Sequence, residues 1–162
     1  MSFSKQTGFT LIELLVVMVI VGIALGVVTL RLLPDDRAVL RDEAERLALL
    51  LENAGQQARA SGHALAWSYE RGGYRFWQQN EYGDWIPADG DMLRPRTLPD
   101  GIVVSAAAVE TDALRAGEPM AMSAASFALP FSIRLNKQQI TALVTGDSAG
   151  VVTATLGNGV QP

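Results

Sequence analysis

The run from Phe9 to Leu33 constrains this chain more than any other feature. It holds 25 residues, and Glu13 and Arg31 are its only charges. As an α-helix it would rise about 37 Å at about 1.5 Å per residue, enough to cross a hydrocarbon core of about 30 Å. A secretory signal peptide is the obvious rival. Its apolar region is shorter, typically about 7–15 residues, and a small-x-small cleavage site follows. Here the run is too long and no such site follows it. The run therefore predicts a membrane helix. The remainder of the 162 residues is long enough to bury one core of its own.

Glu13 needs an explanation in such a helix. Thr10-Leu11-Ile12-Glu13 has the spacing of a capping box, and an acid in the first turn suits the helix dipole. A second reading takes the carboxylate to the interface by snorkelling, although Glu is short for this. A third pairs it with a cation, since an intramembrane acid is a functional candidate once a partner can be named. The next cation within the run is Arg31, about 27 Å further along the helix. A cut between Gly8 and Phe9 would supply another, because the new α-amine of one subunit could meet Glu13 of a neighbour. Low local dielectric would strengthen that attraction. Gly22-Ile23-Ala24-Leu25-Gly26 adds a GxxxG spacing that lets helices approach closely, though glycine is common in membrane helices in any case.

Beyond the run, Pro34 predicts a bend and Asp35 and Asp36 suit a fresh first turn. Leu40, Leu47, Leu51, Ala54 and Ala58 then fall on one helical face, with Gly62 as the stop. Arg41, Asp42, Glu45, Glu52 and Arg59 lie off that face. "HALAWSYE" and "YRFWQQN" predict a hairpin joined by "RGG", with glycine supplying positive φ. "NEYGDWIP" is a turn-rich continuation. "LPDGIVVSAAAV", after a Pro-Asp-Gly turn, "ASFALPFSIRLN", "QQITALVTG" and "VVTATLG" predict further strands, "DSAG" a turn, and "ETDALRAGEPMAMSA" a loop. The order predicts an α+β domain with an antiparallel sheet wrapped on the amphipathic helix. The terminal "GNGVQP" reads as frayed or exposed.

No catalytic constellation emerges. The chain has no cysteine, which removes disulfides and thiolate metal sites, and its one histidine, His63, stands at the helix end as a surface or capping residue. Asp89-Gly90-Asp91 resembles a calcium-loop fragment without the remaining ligands, so no metal and no cofactor are expected. Gly72-Gly73 lacks the Gly-Lys-Ser/Thr of a phosphate loop. Net charge is -4, and no Lys or Arg follows Lys137, which argues against nucleic acid as a partner. Trp67, Tyr69, Tyr74, Phe76, Trp77 and Trp85 cluster in sequence. Half of them filling the core and half covering the sheet is the plain reading, and a stacking or protein-contact surface is the other.

The segment "KQTG-FTLIELLVVMVIVGIALGVV" resembles the class III signal of type IV pilins and type II secretion pseudopilins. Length, the "SFALPFSIRL" strand and the "TGDSAGVVTATLG" hairpin are similar to H-type minor pseudopilins. The resemblance implies a pilin-like fold, with a long N-terminal transmembrane and amphipathic helix packed on an antiparallel sheet domain. It implies a leader at 1–8, cleavage between Gly8 and Phe9, N-methylation of Phe9, and Glu13 as the acid that docks incoming subunits. It also implies an assembly helix at 9–33, its amphipathic continuation at 34–62, and a periplasmic β-rich domain at 63–162. The implied role is a structural subunit near the tip of a pseudopilus that exports folded proteins, anchored once in the bacterial inner membrane. Implied partners are the other minor pseudopilins, the major pseudopilin, prepilin peptidase, the inner-membrane assembly platform and inner-membrane lipid. The N-terminus-inside orientation comes from this resemblance alone, since Lys5 is outnumbered by Arg31, Arg37 and Arg41 beyond the run. A minor pilin of a type IV pilus, linked to priming or DNA uptake, is the alternative, and a membrane-anchored periplasmic enzyme a second.

Overall fold

The computed structural model describes residues 10–31, 35–88, 90–122 and 129–157, with side chains of 25–31 excepted. The expected bend at Pro34, the Gly8–Phe9 bond, Asp89 and the terminal 158–162 lie outside the described residues. The chain divides into two units, Met1–Asp35 and Asp36–Pro162.

The first unit contains helix α1, Leu11–Arg31. Its β-branched and leucine residues have little polar competition for the backbone. Thr10 starts it, accepting the Glu13 N–H on its hydroxyl at 3.4 Å and on its carbonyl at 3.1 Å. That is the first half of a capping box. Among the described residues no helix is long and apolar enough to cross a membrane.

The second unit begins with α2, Asp36–Ser61. The predicted stripe is its buried face: Leu40, Leu47, Leu51, Ala54 and Ala58 are all buried, joined by Ala44 and Ala48. Each fully buried leucine contributes roughly 1.5–3 kcal/mol, so this stripe is the main tie between helix and sheets. Arg41, Asp42, Glu45 and Arg59 are exposed. The helix ends where Gly62 adopts φ 74°, its N–H bonded to the Ala58 carbonyl.

Among the described residues ten strands follow, all paired antiparallel. They are β1 Leu65–Glu70, β2 Gly73–Gln79, β3 Trp85–Pro87, β4 Arg96–Thr97, β5 Ile102–Val109, β6 Asp112–Ala113, β7 Met120–Met122, β8 Phe131–Lys137, β9 Ile140–Gly146 and β10 Val152–Gly157. They form two five-stranded sheets rather than one. The first runs β3-β2-β1-β7 with β4 beside β2, and the second runs β10-β9-β8-β5-β6. The stretch expected to be a loop after Val109 carries β6 and β7, and those two strands go to different sheets. β7 completes the first sheet by pairing Met122 with Leu65 and Met120 with Trp67.

The hairpin between β1 and β2 forms as expected, Glu70 opposite Gly73, but its glycines act differently. Neither Gly72 nor Gly73 occupies the left-handed region. Gly73 is required by space instead: a Cβ there would sit 2.3 Å from the Arg96 carbonyl oxygen on β4. Positive φ is used at the predicted "PDG" and "DSAG" turns, at Gly101 (82°) and Gly150 (85°). Asp147 finishes the second turn by accepting the Ala149 and Val151 N–H groups, each at 2.9 Å.

The core lies between α2 and the inner faces of both sheets. Trp67, Phe76, Ile133, Leu135 and Val144 are its largest fully buried side chains besides the helix leucines. Trp67 stacks on Tyr69 with ring centroids 5.6 Å apart, and Tyr74 meets Phe76 edge-on at 6.1 Å.

Candidate functional site

Two regions carry the polar and apolar features that the fold itself does not require. The first is α1. From Leu11 to Ile23 every large apolar side chain is exposed, Leu11 by 86%. A helix that is apolar all round belongs inside lipid or other protein, because water has no favourable face to meet. Glu13 sits at the head of this surface, itself exposed. Among the described residues no cation comes within ion-pair distance of it. Its own helix supplies only the Thr10 contacts to its backbone N–H. Among the described residues no hydrogen-bond donor is placed on its carboxylate. Gly22 has open space where a Cβ would stand, and Gly26 follows one turn later on the same side of α1. Gly8 and Phe9 lie outside the described residues.

The second region is polar and buried beneath the first sheet. Glu43 on α2 is only 4% exposed, and its carboxylate accepts from Arg96 Nε at 3.0 Å and Nη2 at 2.8 Å. The carboxylate beside Arg96 raises the guanidinium's pKa above its ordinary value. Tyr74 stands close by, and burial pushes its hydroxyl up to about 12, with the charge of Glu43 adding to the effect. Its Oη has no hydrogen-bond partner of ordinary geometry. This arrangement joins helix to sheet and offers no nucleophile or general base to solvent. Glu43 was not singled out from the sequence. The signal was present, since Glu43 lies three residues after Leu40 and four before Leu47, on the buried stripe.

A further polar tie holds the start of α2. Asp36 accepts from Lys137 Nζ at 3.0 Å, at the end of β8, and from Gln138 Nε2 at 3.1 Å, in the β8–β9 turn. The aromatic cluster divides four to two rather than evenly, with Trp77 and Trp85 outside the buried core. Trp67, Tyr69, Tyr74 and Phe76 are core residues. Trp77 lies on the other face of the first sheet, with Nε1 donating to Ser68 Oγ at 2.8 Å and the Arg75 guanidinium 5.6 Å from its ring centre. His63 is exposed at the end of α2. Among the described residues no group of three or more His, Asp or Glu side chains is placed to hold a metal.

Residues 3–29 match the prokaryotic N-terminal methylation motif. No curated protein is similar enough in sequence to count as a relative. Among solved structures, the chain is similar to the minor pseudopilin EpsH of the type II secretion system of Vibrio cholerae. One crystal structure of it matches with a TM-score of 0.58 at 15% identity, covering 78% of this chain and 98% of that one. A second structure of EpsH matches with a TM-score of 0.57 at 15% identity, over 72% and 96% of the two chains. The fold is therefore pilin-like α+β.

Proposed function

We propose that this chain, with a methylation motif ahead of a pilin-like domain, is an H-type minor pseudopilin of a bacterial type II secretion system. It serves as a structural subunit near the tip of the pseudopilus, not as an enzyme. The observation that carries this reading is α1: an all-apolar exposed surface headed by a carboxylate that has no cation near it among the described residues. Such a helix gains from lipid before assembly and from neighbouring helices after it.

In this reading residues 1–8 are the leader, and prepilin peptidase cuts after Gly8. Phe9 becomes the N-methylated N-terminus. Residues 9–33 hold the chain in the inner membrane, and 34–62 continue into the periplasmic domain that 63–162 complete. Glu13 pairs with the α-amine of the adjacent subunit during growth from the assembly platform. Gly22 and Gly26 let helices of the major and other minor pseudopilins approach. Thr10 capping is compatible with all of this, because it uses the Glu13 N–H and leaves the carboxylate free.

The test is Glu13→Gln beside Glu13→Leu. Gln retains capping ability, so a purely local role leaves Gln at wild-type behaviour. An assembly role means both variants insert and are cleaved, yet enter the pseudopilus poorly. A buried charge deprived of its partner costs about 3–5 kcal/mol. Half of that lowers incorporation roughly tenfold, at about 1.4 kcal/mol per decade. Recovery with other minor pseudopilins after crosslinking, at matched expression, is the measurement. Wild-type recovery of Glu13→Gln rejects the pairing. Secretion defects without loss of surface pili in a deletion strain separate this reading from the type IV pilus alternative.

A further inference from the structure

Sheet edges are sites of unwanted pairing, and proteins guard them with shortness, charge, proline or bulges. This fold guards nearly all of its own. β3 has three residues and ends in Pro87, β4 has two and follows Pro95, β7 has three, and β6 has two and begins with Asp112. β10 differs. It runs six residues from Val152 to Gly157, holds no charge or proline, and keeps an unbroken register with β9. Among the described residues nothing pairs with its outer edge.

The hydrogen-bonding groups on that edge can be identified. Across the preceding turn the Asp147 N–H donates to the Val151 carbonyl at 3.1 Å. Antiparallel pairs alternate between bonded and non-bonded. Thr153, Thr155 and Gly157 therefore exchange bonds with β9, and the N–H and C=O groups of Val152, Ala154 and Leu156 point away from it. The same three residues carry the side chains that face the core. They are only half-buried, whereas Ala142 and Val144 beside them on β9 are fully buried. An additional strand would satisfy the backbone groups and extend the apolar row in one step.

We propose that the outer edge of β10 is a strand-addition site, occupied by an uncharged extended segment of a different subunit of the same filament. Its aliphatic residues alternate so as to continue the row of Val152, Ala154 and Leu156. The source of the strand rests on the filament reading above. A different subunit is favoured over a second copy because the other described edges of this chain are short or guarded, so a second copy could offer only its own β10, and symmetric β10–β10 pairing closes into a dimer that cannot propagate.

The chain has no cysteine, so a benzophenone-maleimide can be placed at Thr155→Cys alone. Thr155 is exposed and faces away from α2. The full-length chain is labelled in its native membranes, irradiated, and the products mapped by mass spectrometry. The expected product joins residue 155 to an extended segment of another protein that bears the same N-terminal methylation motif. Ala154→Pro removes one outward N–H without touching the β9 ladder, and should lower the yield about tenfold. Thr153→Lys places a guarding charge on an exposed position, where misfolding is not at issue, and should do the same. Unchanged yield in Thr153→Lys overturns the proposal. So does a crosslink only to a second copy, to residues 158–162 of the same chain, or to a protein without the motif. Normal incorporation into the filament with no crosslink rejects the strand site alone. A persistent crosslink in Glu13→Gln with normal incorporation rejects the role of Glu13 alone.

Discussion

Glu43 and Arg96 form a two-point ion pair, 53 residues apart in sequence, in which the carboxylate is almost wholly buried and the guanidinium is about one-third exposed. Their two hydrogen bonds fasten α2 to β4, the two-residue strand at the margin of the first sheet. The geometry sets the sign of each mutation. Removing the arginine strands a buried carboxylate, whereas removing both groups strands nothing.

Arg96→Ala should therefore cost about 2–4 kcal/mol, less than the cost of about 3–5 kcal/mol for breaking a fully buried pair because water reaches the exposed third of Arg96. Glu43→Met with Arg96→Leu should recover most of that loss. Urea unfolding of a fragment spanning 36–162 checks both values, and the fragment itself should be soluble and monomeric with mixed helix and strand content. A double variant no better than the single one contradicts this account.

Gly72 and Gly73 are adjacent, yet should respond oppositely. A Cβ on Gly72 meets nothing within 4 Å, so Gly72→Ala should stay within about 0.5 kcal/mol of wild type. A Cβ on Gly73 collides with the Arg96 carbonyl oxygen, a backbone atom that cannot rotate aside. Gly73→Ala should cost about 2–3 kcal/mol and loosen β4. Amide exchange at Thr97 and Leu98 reports the loosening directly.

Tyr74 predicts an alkaline limb to stability. Burial raises its pKa to about 12, above the ordinary 10, so the folded state holds the phenol proton more tightly than the unfolded state. The associated stability is fully present below about pH 10 and is lost as pH rises through about 12. The gap corresponds to about 3 kcal/mol at about 1.36 kcal/mol per decade. Tyr74→Phe should flatten this limb. Because Tyr74 Oη lacks a hydrogen-bond partner of ordinary geometry, the same change should cost little at neutral pH. Denaturation midpoints measured from pH 8 to 11.5 compare the two proteins.

Processing is testable at Gly8. A side chain larger than glycine should hinder entry of the backbone into the peptidase site. Gly8→Val should leave full-length precursor in the inner membrane, and intact-mass measurement reads the outcome. Normal shortening by eight residues would show that Gly8 is dispensable.

Much of this protein is legible in its sequence because the signals are local. The apolar run, Thr10 as the start of α1, the stripe from Leu40 to Ala58, the stop at Gly62 and the turns at Gly101 and Gly150 each depend on residues a few positions apart. Backbone sterics and helical periodicity suffice to read them. The tertiary structure alone decided the rest. It divided the strands between two sheets, sending β6 to one and β7 to the other, because short segments take their pairing from whichever neighbour offers a free edge. It placed Glu43 against Arg96 and Gly73 beneath the Arg96 carbonyl, contacts between segments far apart in the chain. It also left β10 without a partner on its outer edge among the described residues, since whether a strand lies inside or outside a sheet depends on every other strand's position.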